Sequence, residues 1–100
     1  MPTDRLEVSE VERTQIRQIL NIPDSLFVSQ QIDRANLRPR EKEAVRLREI
    51  EGLSITEAAE QSLVCETIHK EQYKKGMEKL NACWSGLPYI EGARRMYFKQ

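Results

Sequence analysis

The stretch that decides the fold is residues 37–60, LRPREKEAVRLREIEGLSITEAAE. Pro39 suits the first position of a helix, where its missing N–H group costs nothing. Gly52 can end that helix, because glycine readily adopts the positive φ found at helix C-termini. Ser54 and Glu57 have the spacing of a capping box at the start of a second helix. The stretch therefore predicts a helix, a glycine turn and a second helix. The apolar stripe expected on the first helix consists of Ala44, Val45, Leu47 and Ile50.

Two further helices are predicted before this stretch. Ser9 and Glu12 form another capping-box pattern, which begins a helix over residues 10–20. Asp24 or Ser25 can cap the helix that follows. The apolar stripe expected on the helix at 10–20 consists of Val11, Ile16, Ile19 and Leu20.

A long helix is predicted after the stretch. A break around residues 63–65 precedes this helix, which is expected over residues 66–84. Gly76 lies beside its inward stripe and indicates close backbone contact with a neighbouring helix. The tail at residues 85–100 could form a short helix that packs back on the core. The inward stripe consists of His69, Tyr73, Met77, Leu80 and Trp84.

These signals predict an all-α fold, a small helical domain of about five helices that contains a helix-turn-helix. We expect a helical arm at residues 1–36 for dimerisation or partner contact, the helix-turn-helix domain at 37–84 and a C-terminal tail at 85–100. The helices of the arm could instead simply complete the core. One hundred residues can form one core of modest size.

Composition argues against several classes of protein. The sequence has no apolar run of about 18 residues, and its N-terminus has no basic segment leading into an apolar one, so we expect neither a membrane span nor a secretory signal. Cys65, Cys83 and the single His69 do not supply four zinc ligands, so no metal or cofactor is expected. We expect the thiols to be reduced and buried in a cytoplasmic protein. His69 is expected to be a packed histidine rather than a ligand or pH switch.

Charge is unevenly distributed, although the chain is neutral overall. Residues 65–100 carry seven Lys/Arg and four Glu, 7 − 4 = +3, whereas residues 1–36 carry four Arg and six Asp/Glu, 4 − 6 = −2. Residues 37–64 carry five Lys/Arg and six Glu, 5 − 6 = −1, so the three parts sum to zero. The basic surplus coincides with the long helix at 66–84, which is where a helix-turn-helix would present its recognition helix.

Two motifs in this sequence resemble region four of bacterial sigma factors and the related domain of quorum-sensing response regulators. They are LRPREKE at residues 37–43 and GLSITEAAE at residues 52–60. The interval between the motifs and the phrase LREIEGLS are similar to those of the extracytoplasmic-function sigma factors. The resemblance covers roughly residues 37–80.

The second half of the resemblance departs from the family pattern of glycine, small polar cap, threonine and aliphatic residue. Aligned without a gap, Leu63 takes the place of the glycine, Cys65 of the cap, Ile68 of the threonine and His69 of the aliphatic residue. Deleting one turn residue would restore Thr67 before an aliphatic residue. We favour the ungapped alignment, because it keeps the inward stripe of the long helix intact.

The resemblance implies a DNA-binding module. In sigma factors this module reads the upstream promoter element and touches RNA polymerase. The chain has no room for the sigma region that melts the start site, so we expect a stand-alone regulator or a polymerase accessory protein, encoded by a phage or mobile element. The implied partner is double-stranded DNA, with RNA polymerase or a sigma factor as a second partner, and a homodimer is expected because one monomer would bind weakly.

The recognition helix at residues 66–84 supplies the candidate DNA-binding residues. Lys70 or Lys74 could contact guanine O6/N7, and Glu71 could accept a hydrogen bond from cytosine N4. The residues expected near base edges and phosphates are Glu66, Thr67, Lys70, Glu71 and Lys74. Those expected to contact phosphates, which position the protein without reading sequence, are Lys75, Lys79, Arg40 and Lys42.

Two classes of function remain open at this point. One is a sequence-specific DNA-binding transcription regulator. The other is a protein-interaction module with the same fold that binds RNA polymerase or a sigma factor without reading DNA, which the zero net charge and the glutamates Glu66 and Glu71 favour. An enzyme is not expected, because the sequence has no phosphate loop, no zinc-ligand spacing and no nucleophile with a plausible base.

Overall fold

The computed structural model describes residues 8–98, which form six helices. No strand occurs within that range, so the predicted all-α class is confirmed. The sixth helix is the short one anticipated in the tail. The helices are α1 (Glu10–Leu20), α2 (Ser25–Arg34), α3 (Pro39–Val45, continued by the π-helical segment Arg46–Ile50), α4 (Ile55–Ser62), α5 (Glu66–Trp84) and α6 (Pro88–Tyr97).

The helices begin where local capping chemistry predicts. Ser9 Oγ accepts a hydrogen bond from the N–H of Glu12 at 3.1 Å, and the Glu12 carboxylate accepts one from the N–H of Ser9 at 3.0 Å. Ser54 and Glu57 repeat this reciprocal pair at the start of α4. Asp24, the first of the two predicted candidates, caps α2 through its carboxylate. Both capping boxes are therefore confirmed, and each satisfies backbone donors that a helix start leaves free.

One hydrophobic core joins the N-terminal helices to α5. Ile16 and Ile19 of α1 and Val28 of α2 belong to the same buried cluster as Met77 and Leu80 of α5. The buried faces of α1 and α2 therefore pack in the same core as α5.

Trp84, at the end of α5, covers one side of this core. Its side chain is buried, and its indole N–H donates to the carbonyl oxygen of Gln31 in α2 at 3.2 Å. Ile90 of α6 is buried in the same cluster, and Arg94 of α6 donates to Oε1 of Gln18 in α1 at 2.9 Å. The tail helix thus packs against the core beside α1.

The π-helical segment Arg46–Ile50 changes which side chains the end of α3 buries. The N–H of Glu51 donates to the carbonyl of Arg46, five residues back, at 3.0 Å. The extra residue in this turn places Glu49 inside, 5% exposed, and leaves Ile50 41% exposed. The expectation that Ile50 completes an apolar stripe is therefore wrong, because the stripe assumed an uninterrupted α-helical period.

Other expected burials also differ from the structure. Val11 lies on the solvent side of α1 and is 66% exposed, so it does not belong to the inward stripe. Cys65 is exposed and Cys83 is half-buried, so the expectation of two buried thiols is wrong. Cys65 is exposed because it precedes α5 in the turn rather than lying within a packed helix face.

Gly76 marks the closest approach of α3 and α5. A Cβ atom at this position would lie 2.7 Å from Cγ2 of Val45 and 3.1 Å from the carbonyl oxygen of Glu41. The predicted close contact is confirmed, and it brings the start of α3 against the middle of α5.

Candidate nucleic-acid interface

The turn between α4 and α5 has an unusual residue at its left-handed position. Leu63 has φ 61° and ψ 41°, a region in which side chains with a Cβ are strained. Its side chain is also 90% exposed. The chain therefore has, at Leu63, the backbone conformation that a turn glycine ordinarily supplies. Cys65 follows in extended conformation and directly precedes α5.

The two faces of α5 divide as predicted. The stripe from His69 to Trp84 faces inward, with Tyr73 half-buried and the other four side chains buried. At 3.6 residues per turn, the polar residues of the first half of the helix lie on the opposite side. The exposed predicted residues are Glu66, Thr67, Lys70, Glu71, Lys74 and Lys75.

A groove of about 490 Å³ lies between the start of α3 and the first half of α5. Its three cationic side chains are Arg38, Arg40 and Lys75. Two of these, Arg40 and Lys75, come from the predicted set, and Glu71 lines the same groove. The remaining lining residues are Pro39, Glu41, Ile68 and Gln72.

Five of the eight lining residues lie outside the predicted set of site residues, namely Arg38, Pro39, Glu41, Ile68 and Gln72. No role is predicted for Arg38 or Gln72, and Ile68 enters the prediction only as the residue aligned with the threonine of the related sigma-factor domains. Arg38 had a usable signal, since it flanks Pro39 on the opposite side from Arg40 and precedes the same helix start. Ile68 and Gln72 had a signal in the helical period, because each lies one residue before a position on the inward stripe, His69 and Tyr73.

Three of the predicted phosphate-binding cations have partners within the protein. Nη1 of Arg40 lies 3.3 Å from the carbonyl oxygen of Ser62, at the end of α4. Nζ of Lys42 lies 3.3 Å from Oδ1 of Asp33 in α2. Lys42 also lines a different groove, between α2 and α3, rather than the one beside α5.

The third of these cations, Lys79, bridges α5 to the start of α3. Its Nζ lies 2.6 Å from Oε1 of Glu41, whose side chain is 6% exposed. Glu41 also accepts a hydrogen bond from the backbone N–H of Arg38 at 3.0 Å. Burial alone would raise the pKa of the Glu41 carboxyl group. The hydrogen bonds from Lys79 and from the Arg38 N–H group, with the positive charges of the same two residues, outweigh burial and lower that pKa.

The α4 side of this unit is acidic. Residues 51–66 contain four glutamates and no lysine or arginine. Glu57 and Glu60 are exposed on α4, and Oε2 of Glu66, at the first position of α5, accepts a hydrogen bond from Oγ1 of Thr56 at 2.8 Å. A nucleic acid approaching α5 would therefore meet cations on the α3 side and carboxylates on the α4 side.

A polar cluster around the buried carboxylate of Glu49 contacts α5 through Tyr73. The carboxylate of Glu49 accepts hydrogen bonds from Nε of Arg17 at 2.5 Å and from the hydroxyl group of Tyr73. The guanidinium group of Arg48 lies over the Tyr73 ring, 4.3 Å from its centroid. Burial and the hydrogen bond to Glu49 raise the pKa of Tyr73 to about 12. The cluster ties α1, the π-helical segment and α5 together.

His69 lies beside this cluster and is fully buried. Neither ring nitrogen has a hydrogen-bond partner among the residues that the structure describes. The imidazole stacks near the Tyr73 ring, with 6.5 Å between centroids. Burial, together with the charge of Arg48, lowers the pKa of His69, so the ring is neutral at pH 7.

No family model, curated protein or solved structure matches this chain. Between residues 8 and 98, no helix has the length and apolar character needed to cross a bilayer. Within the same range, histidine, cysteine and carboxylate side chains do not gather in groups of three or more that could hold a metal ion.

Proposed function

We propose that this chain is a sequence-specific DNA-binding transcription regulator. In this proposal α4 and α5 act as a helix-turn-helix, and the first half of α5 enters the major groove of double-stranded DNA. The observation that carries the proposal is the cationic groove beside α5, where Arg38, Arg40 and Lys75 converge on one side of the candidate recognition helix.

Base reading in this proposal belongs to the outward face of α5. In this proposal Lys70 and Lys74 donate to guanine O6 and N7, and Glu71 accepts a hydrogen bond from cytosine N4. Thr67 lies on the same exposed face, one turn before Lys70 and Glu71. Each well-formed base contact contributes about 1–3 kcal/mol of discrimination against a wrong base.

Phosphate binding belongs to the groove between α3 and α5. Arg38, Arg40 and Lys75 line that groove together with Glu41 and Glu71, so one DNA strand alongside α5 would meet a lining with a net charge of 3 − 2 = +1. Phosphate contacts of this kind fix orientation on the duplex without reading sequence. Lys42 and Lys79 have ion-pair partners in the protein, so they would exchange those partners for a phosphate or contribute only long-range attraction.

One α5 helix per monomer provides few contacts, so the regulator requires a second source of affinity. A homodimer on a two-fold-related site is one source, and contact with RNA polymerase or a sigma factor is the other. Such a protein would act in the cytoplasm, where its target DNA and RNA polymerase would be found.

Salt-dependent binding to the upstream DNA of its own operon tests the proposal. We expect the affinity to fall as salt rises, with a log–log slope of about −0.9 for each phosphate contact. Selection of bound duplexes from a random pool should then yield a defined motif. Absence of binding at low salt, or binding that salt does not weaken, would overturn the proposal.

A protein-interaction module that binds RNA polymerase or a sigma factor is the second candidate. The acidic surface of residues 51–66 favours it, because exposed Glu57 and Glu60 would repel a phosphate backbone next to α4. Pull-down with purified core polymerase and with the sigma factor, each in nuclease-treated buffer, distinguishes the two candidates. Stable capture by either without DNA, together with no motif from the random pool, would favour the second.

A further inference from the structure

A second groove lies between α2 and α3. It has a volume of about 360 Å³, within the range of small-molecule sites in proteins. Its walls are mainly aliphatic and reach the core, since the buried residues Leu20, Val28 and Leu80 line it. Ile32, Leu37 and Val45 complete the apolar walls.

The polar side chains at this groove are two cations, one carboxylate and two serines. Lys42 and Arg46 line it from α3, one helical turn apart, and Asp33 faces them from α2, so the charge of the lining is 2 − 1 = +1. Two hydroxyl groups, those of Ser25 and Ser29, also line it.

Both cations can be redirected at low cost. Nζ of Lys42 lies 3.3 Å from Asp33, and the two side chains are 47% and 65% exposed. Nη1 of Arg46 lies 2.9 Å from Glu51, which is not part of the lining, and this pair is similarly exposed. Solvent-exposed ion pairs of this kind are weak, so an anion in the groove can compete for either cation.

The π-helical segment Arg46–Ile50 forms one end of the groove. Arg46 and Ile50 are both lining residues, and the side chain of Ile50 is 41% exposed. π-Helical turns inside α-helices occur frequently at functional sites, because they alter which side chains reach a given surface. Here the turn presents an aliphatic side chain to the groove in place of Glu49, which it buries elsewhere.

We propose that the groove between α2 and α3 binds a small amphipathic carboxylic acid, of the medium-chain fatty acid class. The aliphatic chain would lie along Val28, Ile32 and Val45, and the carboxylate would pair with Lys42 and Arg46 at the rim. The apolar walls select the chain. The rim selects an anion over a cation of the same length, because its two cations are held only by weak, solvent-exposed ion pairs with Asp33 and Glu51. This inference does not depend on DNA binding, since neither the groove nor its test involves α5's outward face.

The test is a titration of decanoate, kept below its micellar concentration, into the full chain. The chain is labelled at isoleucine, leucine and valine methyl groups, and the NMR chemical shifts of these groups are followed. We expect shifts at the methyl groups of Val28, Ile32 and Val45. Octanoate, two CH₂ groups shorter, should bind about fifteenfold more weakly, because each buried CH₂ group contributes about fourfold in affinity. Decylammonium, with the same chain and opposite charge, should bind at least fivefold more weakly than decanoate.

Two pairs of variants locate the site. Ser29→Phe should block the groove and abolish the shifts, whereas Gln30→Phe, on the adjacent exposed position outside the lining, should retain them. The double variant Lys42→Gln/Arg46→Gln should remove the preference for decanoate over decylammonium, whereas Arg95→Gln, on α6, should not. Circular dichroism of each variant verifies that it is folded, and the charge variants test the proposal even if Ser29→Phe does not fold.

Several results would overturn the proposal. Equal affinities for decanoate and decylammonium would remove the role of the rim, and shifts confined to other methyl groups would place the ligand elsewhere. No shift at any concentration below the micellar limit would show that the groove does not take this class of ligand. Shifts of the same methyl groups that depend on protein concentration alone would assign the groove to a second copy of the chain.

Discussion

Nζ of Lys79 in α5 lies 2.6 Å from Oε1 of Glu41 in the first turn of α3, so an ion pair links the two helices that form the cationic groove. The carboxylate end of this pair is buried, whereas the lysine is about one-third exposed. Glu41 also accepts a hydrogen bond from the backbone N–H of Arg38, a residue that lines the groove. The ion pair therefore positions the α3 side of the candidate interface.

Replacement of this lysine is expected to destabilise the fold. Lys79→Met should lower the free energy of unfolding by about 1–3 kcal/mol, because it leaves a buried carboxylate without its cation. Lys42→Met is the matched control, since both members of the Lys42–Asp33 pair are exposed, and it should cost less than about 1 kcal/mol. Urea unfolding measures both, and equal costs would contradict the assigned role.

The cost of Lys79→Met should also depend on pH. The pKa of Glu41 is lowered in the folded protein, so its contribution is present above the unfolded value of about 4.3 and is lost as pH falls through the folded pKa. The difference in unfolding free energy between wild type and Lys79→Met should therefore shrink in acid. A difference that stays constant down to the lowest pH at which both proteins fold would count against an ionised Glu41.

The two helical glycines Gly76 and Gly92 should respond oppositely to alanine. Gly76→Ala should destabilise by about 1–3 kcal/mol, because the new methyl group would lie 2.7 Å from Val45 in a packed helix contact. Gly92, in α6, has open space where a Cβ would lie, so Gly92→Ala should stabilise by about 0.5–1 kcal/mol through helix propensity. Thermal and urea unfolding report both changes. Changes in the free energy of unfolding with the same sign for Gly76→Ala and Gly92→Ala would refute the close approach of α3 and α5.

The turn at Leu63 should be improved by glycine. Leu63→Gly should raise the free energy of unfolding by up to about 1 kcal/mol, because glycine adopts φ 61° without strain and the leucine side chain contributes little packing at 90% exposure. Leu63→Ala retains a Cβ and should change stability far less. Equal effects of the two substitutions would show that strain at this turn is not the cause.

His69 should make stability sensitive to mild acid. Its pKa is lowered in the folded state, so the unfolded chain takes up a proton first, and stability should fall as pH drops below the unfolded value of about 6.5. His69→Leu should be more stable and should lose this dependence between about pH 5 and pH 7. Urea unfolding across that range is the measurement. Parallel pH profiles for the two proteins would mean that His69 binds protons equally in both states.

The DNA proposal predicts different effects for the two groups of cations. Lys70→Ala and Lys74→Ala should relax sequence preference, each at a cost of about 1–3 kcal/mol in specific binding. Arg38→Gln should instead weaken binding to all duplexes about equally and reduce the salt slope by about 1. Fluorescence anisotropy on matched and scrambled duplexes measures both, with Arg95→Gln as a charge control. Unchanged affinity and sequence preference in the two lysine variants would show that Lys70 and Lys74 do not read bases in the major groove.

The helix boundaries were predictable because the interactions that set them are local. The capping boxes at Ser9 and Ser54 join residues three apart, and the break before α5 follows from the turn at residues 63–65. The predicted helices at residues 10–20 and 66–84 match α1 and α5 residue for residue. The inward stripe of α5 was predictable for the same reason, since a helical period needs no information about its partners.

The sequence by itself determined the all-α class, the helix starts and the buried face of α5, because backbone capping and side-chain periodicity act within a few residues. Tertiary structure decided that Glu49 rather than Ile50 turns inward, that Lys79 pairs with a carboxylate 38 residues away, and that Arg38 joins Arg40 and Lys75 in one groove. These outcomes depend on which helices meet and at what distance. A buried carboxylate such as Glu49 is tolerated only where a partner like Arg17, distant in sequence, is already in place to satisfy it.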